Sequence, residues 1–117
     1  RQSKLPDPQV LGNAGRFFMN PTVTKAQYDG LTERYPDLPS YSTPNPDMVK
    51  IPAGWLIEKA GWKGWRDEHV GVYEKQALVL VHYGGGKGSD IVELAEKIMQ
   101  SVKEKFEIEI SPEVNFI

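Results

Sequence analysis

Three side chains in the stretch G-N-A-G-R-F-F-M-N-P, residues 12–21, have the chemistry to hold a polar ligand: Asn13, Arg16 and Asn20. Gly12 and Gly15 let the backbone turn tightly and approach a ligand or a second surface. Phe17, Phe18 and Met19 form an apolar run that Asn20-Pro21 stops. A permissive loop running into a short buried strand projects one or two polar groups at a fixed position. The same pattern also describes an ordinary turn feeding a core strand. Glu113, directly after Pro112, alternates with Val114 and Phe116 and points away from them. It reads as a surface-strand carboxylate unless a site is argued on other grounds.

Other candidate motifs are weaker. Gly84-Gly85-Gly86-Lys87-Gly88-Ser89 precedes a helix and invites a phosphate-loop reading, but Val81 stands where the upstream glycine is required and Gly88 follows the lysine. A strand-to-helix turn accounts for it better, although a helix N-terminus favours anions in any case. His69 and His82 have no partner at metal-ligand spacing, so no metal site is expected. Trp55, Trp62 and Trp65 could stack on a ring; among so many apolar neighbours they read as core.

The elements that must position these groups follow from pattern. Residues 1–11 are extended, because Pro6 and Pro8 fix φ and push their predecessors away from helix. A helix over 25–35 has Thr24 as its cap and Gln27 completing a capping box, with Tyr28, Leu31 and Tyr35 on its apolar face. Residues 36–52, rich in proline, read as an ordered loop pinned by Tyr41, Met48 and Ile51. A short helix over 53–60 starts after Pro52 and stops at Gly61, with Trp55, Leu56 and Ala60 inside. Strands are expected over 70–73 and 77–83, the second central, joined by a hairpin at 74–76. The clearest helix covers 91–106 behind Asp90, burying Ile91, Ala95, Ile98, Met99, Val102 and Phe106. An exposed-face strand over 106–110, a bend at Ser111-Pro112 and a last extended piece over 113–117 complete the chain. The expected fold is α+β: a small, mostly antiparallel sheet with helices packed on one face.

Composition narrows the function. The 117 residues make one domain, 1–117, able to bury a core without staples. With 14 basic and 16 acidic residues, the net charge of −2 lacks the clustered basic excess of a nucleic-acid footprint. There is no cysteine, so thiolate metal sites and disulfides are excluded, and a reducing cytosol is compatible. No apolar run is long enough to cross a membrane. The chain opens at Arg1 without an initiator Met and reads as a piece of something longer.

K-L-P-D-P at 4–8, G-N-A-G-x-F-F-x-N-P at 12–21, A-G-W-L-I-E at 53–58, Q-A-L-V-L at 76–80 and P-E-V-N-F-I at 112–117 together resemble one family, the UDP-N-acetylenolpyruvoylglucosamine reductases. The resemblance covers essentially the whole chain and implies the C-terminal, substrate-binding domain, with the two flavin-binding domains absent. It implies an FAD-dependent, NADPH-consuming enzyme of the bacterial cytoplasm. That enzyme reduces UDP-N-acetylglucosamine enolpyruvate to UDP-N-acetylmuramate in peptidoglycan precursor synthesis. Its partners would be that substrate and the N-terminal FAD domains of the same polypeptide.

By this similarity Glu113 matches the catalytic glutamate, and Lys4, Asn20 and Gln76 match positions that hold the uridine diphosphate and sugar. Lys4 suits a diphosphate as a compact cation, and Asn20 can offer both donor and acceptor. Arg16 stands where the family's proton donor, usually serine, belongs. An arginine cannot deliver a proton at neutral pH, since its pKa exceeds roughly 12. Either another group donates here or the residue is a substitution. Asn115 similarly stands where the last motif often has arginine. The competing expectation is a stand-alone module that binds a UDP-sugar or a protein partner, with Arg16 as an anion contact.

Overall fold

The computed structural model describes residues 9–11, 17–73, 77, 80–82 and 88–112. Along them run β1 (Gln9–Leu11), β2 (Phe18–Met19), β3 (Thr22–Thr24), α1 (Lys25–Arg34), β4 (Tyr41–Ser42), β5 (Met48–Lys50), α2 (Ala53–Lys59), β6 (Val70–Val72), β7 (Leu80–His82), α3 (Gly88–Phe106) and β8 (Ser111–Pro112). The strands form three small antiparallel sheets, ordered β1-β7-β6, β2-β8 and β3-β5-β4. With the helices they make the expected small α+β domain. Among the described residues β7 is flanked on both sides, as its β-branched composition predicts, and Leu80 and Val81 are buried. It begins later than expected, because Ala77 lies in a turn, buried in the core.

Helix α3 is the spine. Its stripe of Ile91, Leu94, Ala95, Ile98, Val102 and Phe106 is buried, and it packs on α2 and β6. It starts at Gly88, so Asp90 lies in its first turn, where a carboxylate still favours the positive end of the helix. At its other end the Phe106 ring meets Tyr35 at 5.0 Å and Trp55 at 6.0 Å, joining all three helices through one aromatic cluster. Glu107 then turns out of the helix at φ 59°, and the segment up to Ile110 forms no ladder with the described residues. Ile108 and Ile110 are buried alternately with exposed glutamates, so the period-2 pattern is real but the strand is not. The ladder forms instead at Ser111–Pro112, expected to be a bend.

Thr24 caps α1 as expected, its hydroxyl accepting from Gln27 N at 3.1 Å. The reciprocal half of the box does not form: Gln27 Nε2 donates at 3.2 Å to the Glu107 carbonyl, tying the start of α1 to the end of α3. Residues 36–52 are ordered, but they contain β4 and β5. Pro44 and Pro46 fall in the turn between these strands, where Asn45 Oδ1 accepts from Asp47 N at 2.9 Å. Leu38 and Ile51 are the buried anchors, whereas Tyr41 is exposed. Helix α2 buries Ala53, Leu56 and Ile57, with Trp55 and Ala60 only partly covered. It ends in paired bonds from Gly61 N to Glu58 O and from Trp62 N to Ile57 O, with Gly61 at φ 92° supplying the left-handed step.

The chain then doubles back on the edge of β6. Val72 N donates to Trp65 O at 2.7 Å, Arg66 bridges Gly71, and the Trp62 and Trp65 rings meet edge-on at 5.4 Å. Asp67 closes the turn by accepting from His69 N and Val70 N at 2.8 and 2.9 Å. Those bonds, that from Val70 foremost, hold its carboxyl below the ordinary carboxylate range.

Two glycines predict opposite outcomes. A Cβ on Gly71 would meet Arg66 Cβ at 2.7 Å and Trp65 O at 2.8 Å, so Gly71→Ala should destabilise by about 1–3 kcal/mol. Gly30, inside α1, has nothing within 4 Å of a built Cβ, so Gly30→Ala should stabilise by about 0.5–1 kcal/mol. Urea denaturation of the two variants checks both signs. For Asp67, a folded pKa below the unfolded one means stability that is complete above roughly pH 4. It is lost as pH falls through the folded value. An NMR titration should place the Asp67 midpoint below that of an unfolded aspartate, and Asp67→Ala should lose part of the acid dependence of unfolding.

Candidate functional site

Asn20 is the sequence-predicted site residue that the structure describes, and local packing determines its position. Phe17 and Phe18 are buried with their rings edge-on at 5.0 Å, which anchors β2 in the core. Met19, on the other face of the strand, is exposed. Asn20 follows, half-buried, where the chain leaves β2 for β3. Here two bonds tie it to the segment entering α2: Ile51 N donates to Pro21 O at 2.9 Å, and Ala53 N donates to Asn20 Oδ1 at 2.9 Å. One lone pair of the amide oxygen is therefore used within the fold; the oxygen keeps a second and Nδ2 is a donor, so the amide retains both kinds of group.

Lys4, Asn13, Arg16, Gln76 and Glu113 lie outside the described residues, as do Asn115 and residues 84–87 of the glycine-rich loop. The register of the described strands does show where the chain departs toward them. Leu11, Leu80 and Val72 are aligned across β1-β7-β6, so the chain leaves β1 toward Arg16 at the sheet end where it leaves β6 toward Gln76. Phe18 pairs with Pro112, so the chain arrives from Arg16 and departs toward Glu113 at one end of the β2-β8 ladder. Lys4 precedes Gln9, whose partner is His82, at the opposite end of β1. The chain thus leaves toward Arg16 and Gln76 from the Leu80 end of one sheet and toward Arg16 and Glu113 from the Phe18 end of another, whereas toward Lys4 it leaves from the other paired end of β1.

The alternative motifs resolve into structure. Trp62 and Trp65 are partly buried against the core, as is Trp55, whose ring also carries Lys59 Nζ at 5.4 Å from its centroid. Among the described residues no three His, Asp or Glu side chains gather as a metal site. No helix among them is long and apolar enough to cross a membrane. Among the described residues, surface grooves lie along α3, lined by Glu93, Lys97, Gln100 and Glu104, between α3 and the segment after it, lined by Met99, Lys103, Glu109 and Ile110, and between α1 and the end of α3, lined by Gln27, Gly30, Arg34 and Glu107. Asn20 lines none of these three. The contact that sequence reasoning missed is the one from Ala53. Its only signal was Pro52 at a helix start, which brings no side-chain acceptor of its own.

Residues 7–117 match the family model described as UDP-N-acetylenolpyruvoylglucosamine reductase, C-terminal domain. Among curated proteins, the UDP-N-acetylenolpyruvoylglucosamine reductase of Bacteroides fragilis is 53% identical over 117 residues, covering 100% of this chain and 35% of the relative. That of Porphyromonas gingivalis is 55% identical over 118 residues, covering 100% and 34%. That of Pseudomonas aeruginosa is 52% identical over 116 residues, covering 98% and 34%. The chain spans about a third of the length of the curated relatives it matches.

Proposed function

Because this chain belongs to the UDP-N-acetylenolpyruvoylglucosamine reductase C-terminal domain family, we propose that it is the substrate-binding part of such a reductase. The single observation that supports this most is identity above half to reductases of that name along the whole chain, which also favours it over a stand-alone binding module. The complete enzyme then reduces UDP-N-acetylglucosamine enolpyruvate to UDP-N-acetylmuramate in the bacterial cytoplasm. FAD and NADPH are assigned to the two thirds of the relatives' length that this chain does not span. The one site group described here, an asparagine amide, is able to hydrogen-bond a sugar or phosphate oxygen.

When bound, the flavin supplies the hydride that saturates the enolpyruvyl double bond. The tasks left to this chain are electrostatic and protic. Charge develops toward the substrate carboxylate as the bond is reduced, and the adjacent carbon must then take a proton. Glu113 takes the position of the catalytic glutamate. Lys4, Asn20 and Gln76 hold the uridine diphosphate and sugar, so that the reacting carbon is presented to the other domains. Arg16 holds the place of the proton donor without being able to donate. Its guanidinium offers charge to the carboxylate instead, so binding survives better than turnover.

The full-length enzyme with FAD, NADPH and UDP-N-acetylglucosamine enolpyruvate should form product, detected as substrate-dependent loss of NADPH absorbance. This chain alone, under the same conditions, should form none. Arg16→Ser in the full-length protein should raise turnover by about a hundredfold, the scale of a restored general acid. An unchanged rate would show that the proton does not come from position 16.

A further inference from the structure

The methionines of the chain, Met19, Met48 and Met99, sit in unequal surroundings. Met99 lies on α3 and packs against the core. Met48, in β5, is partly covered and stands opposite Thr24 of β3. Met19 is 51% exposed, with Tyr41 and Tyr73 one of the large apolar side chains left open to solvent among the described residues. That exposure belongs to a fixed element. Met19 faces Ser111 across the β2-β8 ladder, and its neighbour Phe18 is fully buried beneath. The thioether is thus held on the outer side of a strand whose other side is anchored in the core. It is bonded directly to Asn20, and its ladder is the one from whose end the chain departs toward Arg16 and Glu113. With no cysteine in the chain, no thiol of its own intercepts an oxidant first.

We propose that Met19 is an oxidation site: hydrogen peroxide converts it to the sulfoxide ahead of Met48 and Met99, and the sulfoxide weakens substrate binding beside Asn20 while the fold stays intact. The sulfur lone pair attacks one peroxide oxygen, the O–O bond breaks, and water leaves after proton transfer. Sulfur is oxidised by two electrons and the peroxide is reduced by two. A sulfoxide damages a core by making a buried apolar group polar, and this side chain has little burial to lose. Its effect falls on the ligand instead. The new S–O oxygen is an acceptor, set beside a substrate whose phosphate and carboxylate oxygens are acceptors too, so like meets like. The order of oxidation stands on the structure alone, whereas the effect on binding rests on the reading of the chain as the substrate-binding part of the reductase.

The test treats the full-length enzyme with hydrogen peroxide and follows the peptides carrying residues 19, 48 and 99 by mass spectrometry. Met19 should gain its oxygen at least about fivefold faster than either of the others. At that stage Tm should stay within about 1 °C of the untreated enzyme. KM for UDP-N-acetylglucosamine enolpyruvate should rise at least about threefold, with kcat changing less, and methionine sulfoxide reductase should restore it. The Met19→Leu enzyme should show no such rise on the same treatment. Oxidation of Met48 or Met99 as fast as Met19 would overturn the site, as would protection of Met19 by the rest of the enzyme. An unchanged KM, a lowered Tm, or an equal rise in Met19→Leu would overturn the effect on binding. Failure of the untreated enzyme to reduce this substrate would remove the proposed function and that effect with it, while the order of oxidation would still be read from the peptides.

Discussion

Burial of one face of α3 is the constraint on which the other elements depend. Its stripe from Ile91 to Phe106 offers continuous apolar surface, and removing such surface from water is the largest favourable contribution to folding. Helix α2 and strand β6 pack against it. At its end the Phe106 ring, wedged between Tyr35 and Trp55, fixes where α1 stops and how α2 lies. The short ladders are too small to stand alone, since pairs of two- and three-residue strands are marginal in water. They persist because Phe18, Leu80, Val70 and Val72 bury their side chains in this same core.

That dominance explains which parts of the fold were legible. The periodicity of α3, the Thr24 cap of α1 and the Pro52-to-Gly61 bounds of α2 are local signals, and each placed its helix to within a few residues. The sheet β3-β5-β4 was not legible. Its strands are two or three residues long, and Thr22, Thr24, Tyr41, Ser42 and Lys50 are exposed, so there is little alternation to read. Residues 107–110 failed in the opposite way. They alternate well because Ile108 and Ile110 dip into the core, yet burial alone does not create a pairing partner. Ser111–Pro112 looked like a bend because proline removes a donor, but a two-residue ladder tolerates that loss.

The candidate site rests mainly on resemblance. Spacing identified Asn20 only as one polar residue at the end of an apolar run. Nothing local showed that its amide oxygen would accept from the first residue of a helix 33 residues further on. Such contacts depend on which segments the core draws together, and a single sequence displays them poorly. What could be read was the need: a helix beginning after proline, with a buried alanine at its first position, requires an acceptor from outside.

The pairing of β1 with β7 and of β2 with β8 joins the earliest described strands to some of the latest. During synthesis the first strands therefore leave the ribosome long before their partners exist. Phe17 and Phe18 must wait, uncovered, for residues near position 112, while the local contacts of α1 with β3 and β5 can already form. The protein is thus built to fold only once nearly all of these residues are out. Its early apolar strand stays uncovered in the interval, and uncovered apolar strands are prone to aggregate.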